Sequence, residues 1–230
     1  MNKNTKIIGG VLAIVLLAVL GWSLLGERSE ETATFSLNAS VLPQAWEYAG
    51  VYNTPELATS VQKNIEVLKK KLGEDGIDMY DIHLSLAQQY MFIGEGEDAY
   101  THLVHAGKID PGNSLSYQTL GWLMGSLGAM DAAENSFIHA ISIEPQIVQN
   151  HLALIGFYIN QNASPEKVDA AFTHALEQSG RAHNVLVEYA QWLEGKKDIA
   201  HAIVVWEEVL KNDPQNMPVK DKITQLKKKL

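Results

Sequence analysis

The chain contains no cysteine among its 230 residues. That absence excludes disulfides, thiolate zinc sites, thioredoxin-type chemistry and thioether attachment of haem. Positive charge is also scarce: Lys and Arg number 18 against 27 Asp and Glu, for a net charge of −9. Lys3 and Lys6 are the only charged side chains in residues 1–26, so the rest of the chain is more acidic still. A body of this sign repels phosphate backbones, which argues against nucleic acid as a partner. The fingerprints of zinc proteases, nucleophile elbows, phosphate loops and dinucleotide-binding turns are missing as well. Gly94-Glu95-Gly96-Glu97-Asp98 gathers acids in a turn, but it lacks the alternating ligands and closing Glu of a calcium loop. No catalytic residue, cofactor or metal is expected.

What is present is repetition. One pattern returns every 34 or 35 residues between Tyr80 and Asn216. It reads His83, Leu86, Ala87, Tyr90, then Ala99, Leu103, Ala106, then Pro111. The next copy is Tyr117, Leu120, Gly121, Met124, then Ala133, Phe137, Ala140, then Pro145. The third keeps His151, Leu154, Ile155, Tyr158, Phe172 and Ala175, and the fourth Leu186, Tyr189, Ala190, Leu193, Ala202, Trp206, Val209 and Pro214. Spacings of three and four residues place the apolar side chains on one face of a helix, and each copy holds two such stretches. This spacing resembles the tetratricopeptide repeat (TPR), with its large residue, Leu, small residue and Tyr on one helix and Ala, a bulky residue and Pro on and after a second. Small Ala99, Ala133 and Ala202 let two helices approach, and Leu103, Phe137, Phe172 and Trp206 fill the space beside them. A single pair cannot bury its apolar face, so pairs must stack. The expected fold is all-α: a TPR-type solenoid of about four helix pairs with capping helices at both ends, behind an N-terminal transmembrane helix.

Ile7–Leu25 carries that expectation. Its apolar and small residues, interrupted only by Ser23, would as a helix rising about 1.5 Å per residue span most of a hydrocarbon core about 30 Å thick. The run exceeds the core of a cleaved signal peptide, and Leu25-Gly26-Glu27-Arg28 offers no small-x-small cleavage site. Lys3 and Lys6 precede it and Arg28 follows, so the positive-inside bias keeps the N-terminus cytoplasmic and sends the rest across the inner membrane into the periplasm. The chain then divides into a cytoplasmic 1–6, a transmembrane signal anchor 7–25 and a spacer 26–53. A capping helix or degenerate half-repeat follows at 54–79, then repeats at 80–113, 114–147, 148–182 and 183–216, and a basic capping helix at 217–230. Trp46, Tyr48 and Tyr52 should pack the spacer's second half on the first helix. Thr54-Pro55-Glu56 supplies a capping hydroxyl, a helix-starting Pro and an acid suited to the dipole. Leu57, Val61, Ile65, Leu68 and Leu72 give that helix one apolar stripe. Turns inside the pairs are expected at Gly94-Glu95-Gly96, Gly128 and Gly195. The third copy departs furthest, with Val168 at the small-residue position and Gly180 in place of Pro.

Eight histidines invite a metal reading. His105, His139 and His174 recur at one position of successive copies, but stacked helices lie about 10 Å apart. Zinc holds its ligands within about 2.1 Å, so one ion cannot bridge that ladder. His102 and His105 share a helix face without an evident third ligand. A histidine-based metal protein is the weakest alternative.

By the TPR resemblance, the first helix of each pair lines a concave groove that holds protein segments. Gln88, Phe92, Gln118, Trp122, Gln149, Asn184 and Gln191 are the implied partner-binding residues. The four first helices contain no Lys or Arg, so the clamp with which some family members grip an acidic C-terminus is missing. An amphipathic helix or an amide-rich extended segment suits this surface. The order of parts, together with Val168–Leu176 and Ala202–Leu210, is also similar to the TPR subunits of bacterial cytochrome c maturation and haem-lyase systems. That likeness implies presentation of apocytochrome c for haem attachment, by a subunit that itself binds no haem. The alternative is a general envelope scaffold or chaperone of a secretion, pilus or respiratory complex.

Overall fold

The computed structural model describes residues 35–50 and 54–230. The apolar run 7–25, read as a membrane anchor, and Tyr52 lie outside the described residues. None of the described helices is long and apolar enough to cross a membrane.

Ten α-helices follow a 3-10 turn at Ala39–Val41 among the described residues. They are α1 (Pro55–Lys70), α2 (Met79–Ile93), α3 (Gly96–Ile109), α4 (Ser114–Ser126), α5 (Met130–Ile143), α6 (Val148–Asn160), α7 (Pro165–Gln178), α8 (His183–Gly195), α9 (Ile199–Asn212) and α10 (Met217–Lys227). Each helix packs on the next in sequence, and α4 also meets α6, the first helix of the following pair. Within the unit formed by residues 36–230, α2/α3, α4/α5, α6/α7 and α8/α9 are thus the stacked pairs of a helical-repeat solenoid.

Most of the starts are chemically marked. Thr54, Asp78, Asn113, Ser164, Asp198 and Asn216 each accept a hydrogen bond from a first-turn amide, satisfying a donor that the helix itself leaves without a partner. Pro55, Pro165 and Pro218 occupy first-turn positions, where a missing N–H costs nothing.

Packing follows the small-and-bulky pattern. Ala99, Ala133 and Ala202 are fully buried, as are Phe137 and Phe172. A Cβ on Gly121 would fall 2.6 Å from the Phe137 ring, so the small residue of the second copy is required by contact with its own second helix. Burying a ring of this size contributes roughly 2–3 kcal/mol. Val168 is buried despite its size, so the third pair closes without the small residue found in the others.

Three expectations need correction. The α1 stripe is buried only at Val61 and Ile65; Leu57, in the first turn of the helix, is 46% exposed and Leu72, beyond its last residue, 36%. The turn of the fourth pair falls after Gly195, which ends α8, and Lys197 adopts the left-handed conformation at φ +63°. The spacer packs on the turn of the first pair rather than on α1. The Trp46 carbonyl accepts from the Gly96 amide at 2.9 Å, the Tyr48 amide donates to the Gly94 carbonyl at 3.4 Å, and the Tyr48 hydroxyl donates to the Met91 carbonyl at 2.9 Å. Trp46 also packs on Tyr100 of α3, ring centres 5.0 Å apart. Glycine is needed here: a Cβ on Gly94 would lie 2.1 Å from the Tyr48 carbonyl oxygen, and one on Gly96 2.2 Å from that of Trp46. Residues 46–50 form a strap held in a glycine-lined notch.

Candidate protein-binding groove

The pairs are joined by hydrogen bonds from one repeat to the next, which fix the rotation of each first helix. The Ser116 amide donates to the Tyr80 hydroxyl at 3.2 Å, and the Tyr117 hydroxyl donates to the Gly107 carbonyl at 3.2 Å. Within the second copy, both the amide and the hydroxyl of Ser114 donate to Glu144, at 2.9 and 2.6 Å. These bonds to the ionised form hold the Glu144 carboxyl below the usual range. Asn150, 1% exposed, donates to the Ala140 and Glu144 carbonyls and accepts from Gln118 at 3.1 Å. Farther along, the Tyr158 hydroxyl donates to Glu134 at 2.8 Å, and the Tyr189 hydroxyl to Asp169. Burial, followed by the acceptor carboxylate, raises both phenol pKa values.

The seven residues implied as partner-binding all lie on the first helices α2, α4, α6 and α8. Gln88, Gln149, Asn184 and Gln191 are exposed, and Phe92 is partly buried. Gln118 is partly buried and spent in part on Asn150. Trp122 is 38% exposed; its ring stands edge-on to Phe137 at 5.1 Å, and a Cβ on Gly156 would lie 3.7 Å from it. The indole therefore packs in part while the rest meets solvent. Asn184 accepts from the Val185 amide at 3.1 Å.

Sequence reasoning missed Leu115 and Ile159, which are 42% and 40% exposed on α4 and α6. The repeat register was the available signal, since Leu115 occupies the position held by Gln149 and Asn184 in the next copies. Together with Trp122 they leave exposed apolar side chains on the two middle first helices. The charges of the four first helices are acidic only: Asp81 on α2, and Glu188 and Glu194 on α8. Burial raises the Glu188 carboxyl. Glu194 is engaged by the Trp206 indole N–H at 2.8 Å and by Lys222 at 3.4 Å.

The histidine ladder resolves within pairs rather than between them. His105 stacks on His83, ring centres 5.0 Å apart; His139 stands edge-on to Tyr117 at 4.6 Å; His174 tilts against His151 at 5.4 Å. Among the described residues, no group of three or more His, Asp or Glu is arranged to hold a metal ion.

This arrangement of paired, stacked helices is the tetratricopeptide-repeat fold. Two solved structures of MamA share it. Each superposes with a TM-score of 0.51 at 19% identity over 70% of this chain, covering 92% of one MamA chain and 86% of the other. TTC0263, a thermophilic TPR protein of Thermus thermophilus, is 14% identical over 74% of this chain and 95% of its own, with a TM-score of 0.49. No protein-family model and no curated protein sequence matches the chain.

Proposed function

We propose that this chain is an inner-membrane-anchored, periplasmic adaptor that holds segments of other proteins along the inner face of its first helices and catalyses no reaction. The observation that carries the reading is the makeup of that face. Leu115, Trp122 and Ile159 are exposed on the two middle first helices, the amides Gln88, Gln149, Asn184 and Gln191 are exposed on first helices α2, α6 and α8, and none of the four first helices carries a Lys or Arg. A partly packed, partly exposed aromatic such as Trp122 suits an anchoring contact, because little side-chain freedom remains to be lost on binding. Amides satisfy backbone or side-chain groups of either polarity. The anchor rests on the apolar run Ile7–Leu25 and its flanking charges. The test is photo-crosslinking in intact cells from a reactive residue placed at Trp122, with a second placed at Val204, which is 61% exposed on the second helix α9. Adducts with other proteins at position 122 and none at 204 support the reading; adducts at 204 alone reject it.

The narrower reading is presentation of the C-terminal segment of an apocytochrome c to haem-attaching subunits. It is supported by the cation-free groove and by the likeness of residues 168–176 and 202–210 to the corresponding subunits. Titration with cytochrome C-terminal helices decides it: absence of binding at concentrations on the order of 10 μM removes it and leaves the general envelope scaffold.

A further inference from the structure

The first pair contains an imidazole cluster that the groove does not use. His83 on α2 and His102 on α3 bring their Nδ1 atoms to 2.9 Å, a hydrogen bond in which one ring N–H donates to the lone pair of the other. His105 stacks on His83, nearly parallel at 8°, with its Nδ1 bonded to the Thr101 carbonyl at 2.7 Å. Tyr90 stacks on His102 at 5.7 Å. We propose that the His83–His102 bond is a pH-operated clasp between α2 and α3, closed with no more than one proton added to the pair and forced open when both rings become imidazolium.

The reason is stoichiometric. The bond needs one N–H and one lone pair, so one added proton is tolerated and a second removes the acceptor. Two imidazolium rings at this distance then repel in a partly buried site. The surroundings do little to neutralise them. On α3, Asp98 is the acid that favours the charged form of His102, while His105 opposes it. From α1, Lys69 adds positive charge, with its Nζ 5.4 Å from the centre of the Tyr90 ring. From α4, Tyr117 spends its hydroxyl on the Gly107 carbonyl, and from the strap Tyr48 spends its own on the Met91 carbonyl. Burial followed by the charges of His83 and His105 pushes His102 down to about 4, and burial followed by His105 lowers His83. Because both folded values lie below the ordinary imidazole value near 6.5, the stability they contribute is complete above about pH 6.5. It is lost as pH falls from there through the lowered folded values. The clasp holds the end of the solenoid that carries the strap, since Met91, Gly94 and Gly96 bind residues 46–50. Acid would therefore loosen the first pair and its strap ahead of the fourth, where Leu186 and Glu208 replace the stacked rings.

The test is backbone hydrogen exchange of the full-length chain between about pH 7 and about pH 5, corrected for the intrinsic rate. Protection across residues 79–109 should fall on the order of 10-fold relative to residues 183–212, and the His102→Phe variant should abolish that difference. Equal loosening of both segments, or an unchanged ratio, overturns the proposal. Should the variant fail to fold, the ring resonances of the wild-type protein decide the matter. His102 titrating well below the free imidazole value supports the clasp; both His83 and His102 titrating near about 6.5 reject it.

Discussion

The first and fourth helix pairs share one backbone plan and hold it together with different chemistry. In the first, half-buried His83 and His102 share a hydrogen bond, with exposed His105 stacked on His83 and Tyr90 stacked on His102. In the fourth, aromatic donors and cations are tied to carboxylates. The Trp206 indole and Lys222 bind Glu194, Tyr189 binds Asp169, and Arg181 binds Glu208. The repeat therefore fixes where bulk must sit and leaves open how its polar atoms are satisfied. The two solutions titrate in different ranges. Rings with lowered pKa values lose their contribution below about pH 6.5, whereas a carboxylate such as Glu208, held low by Arg181, keeps its contribution until pH falls below the ordinary carboxylate range.

The comparison can be broken most severely in the fourth pair. Trp206→Ala should cost about 3–5 kcal/mol by leaving a cavity between α8 and α9, measured as a shift in the urea midpoint. The first pair should be most sensitive at its turn. Gly94→Ala meets both a φ of +83° and the Tyr48 carbonyl, and should cost about 2–3 kcal/mol and expose residues 46–50 to protease. Gly128→Ala, at a similar φ of +75° with open space around it, should cost only about 1 kcal/mol and leave the strap intact. Lowering pH from about 7 to about 5 should remove about 1–2 kcal/mol in the wild type, shared among His83, His102, His139 and His151, and His102→Phe should abolish the His102 share. Smallest of all, Arg181→Ala breaks an exposed ion pair and should cost less than about 1 kcal/mol in a thermal melt.

The sequence made the fold legible because the pair-packing residues recur at fixed spacing and most helix starts carry a capping side chain. Ala99, Leu103, Phe137, Phe172 and Trp206 were identifiable as core without coordinates, and all are buried. The strap was legible only as a sticky segment. Its attachment is mostly backbone to backbone, in a notch that two glycines leave open, and no side-chain period announces such a contact. The ring partners of His105, His139 and His174 were present in the signature as His83, Tyr117 and His151. The ladder runs across neighbouring repeats, whereas packing joins the two helices of one pair. Lys197 escaped because one strained residue, at a cost of about 1–2 kcal/mol, is tolerated where the surrounding helices dictate the turn. Of the groove, the amides and Trp122 were read from position in the repeat. Exposure of Leu115 and Ile159 depends on the rotation of α4 and α6, which the bonds between repeats set.

The most direct measurement of whether the inner face binds without holding the fold together is a single variant carrying Gln88→Ala, Trp122→Ala, Gln149→Ala and Gln191→Ala. Its crosslinked adducts from a reactive residue at position 115 and its thermal midpoint are read from one preparation. Loss of the adducts with the cooperative melt retained, its midpoint lowered only by about the few degrees that removing one half-exposed indole costs, is the expected result. Adducts that persist at the wild-type level in a folded variant would contradict it.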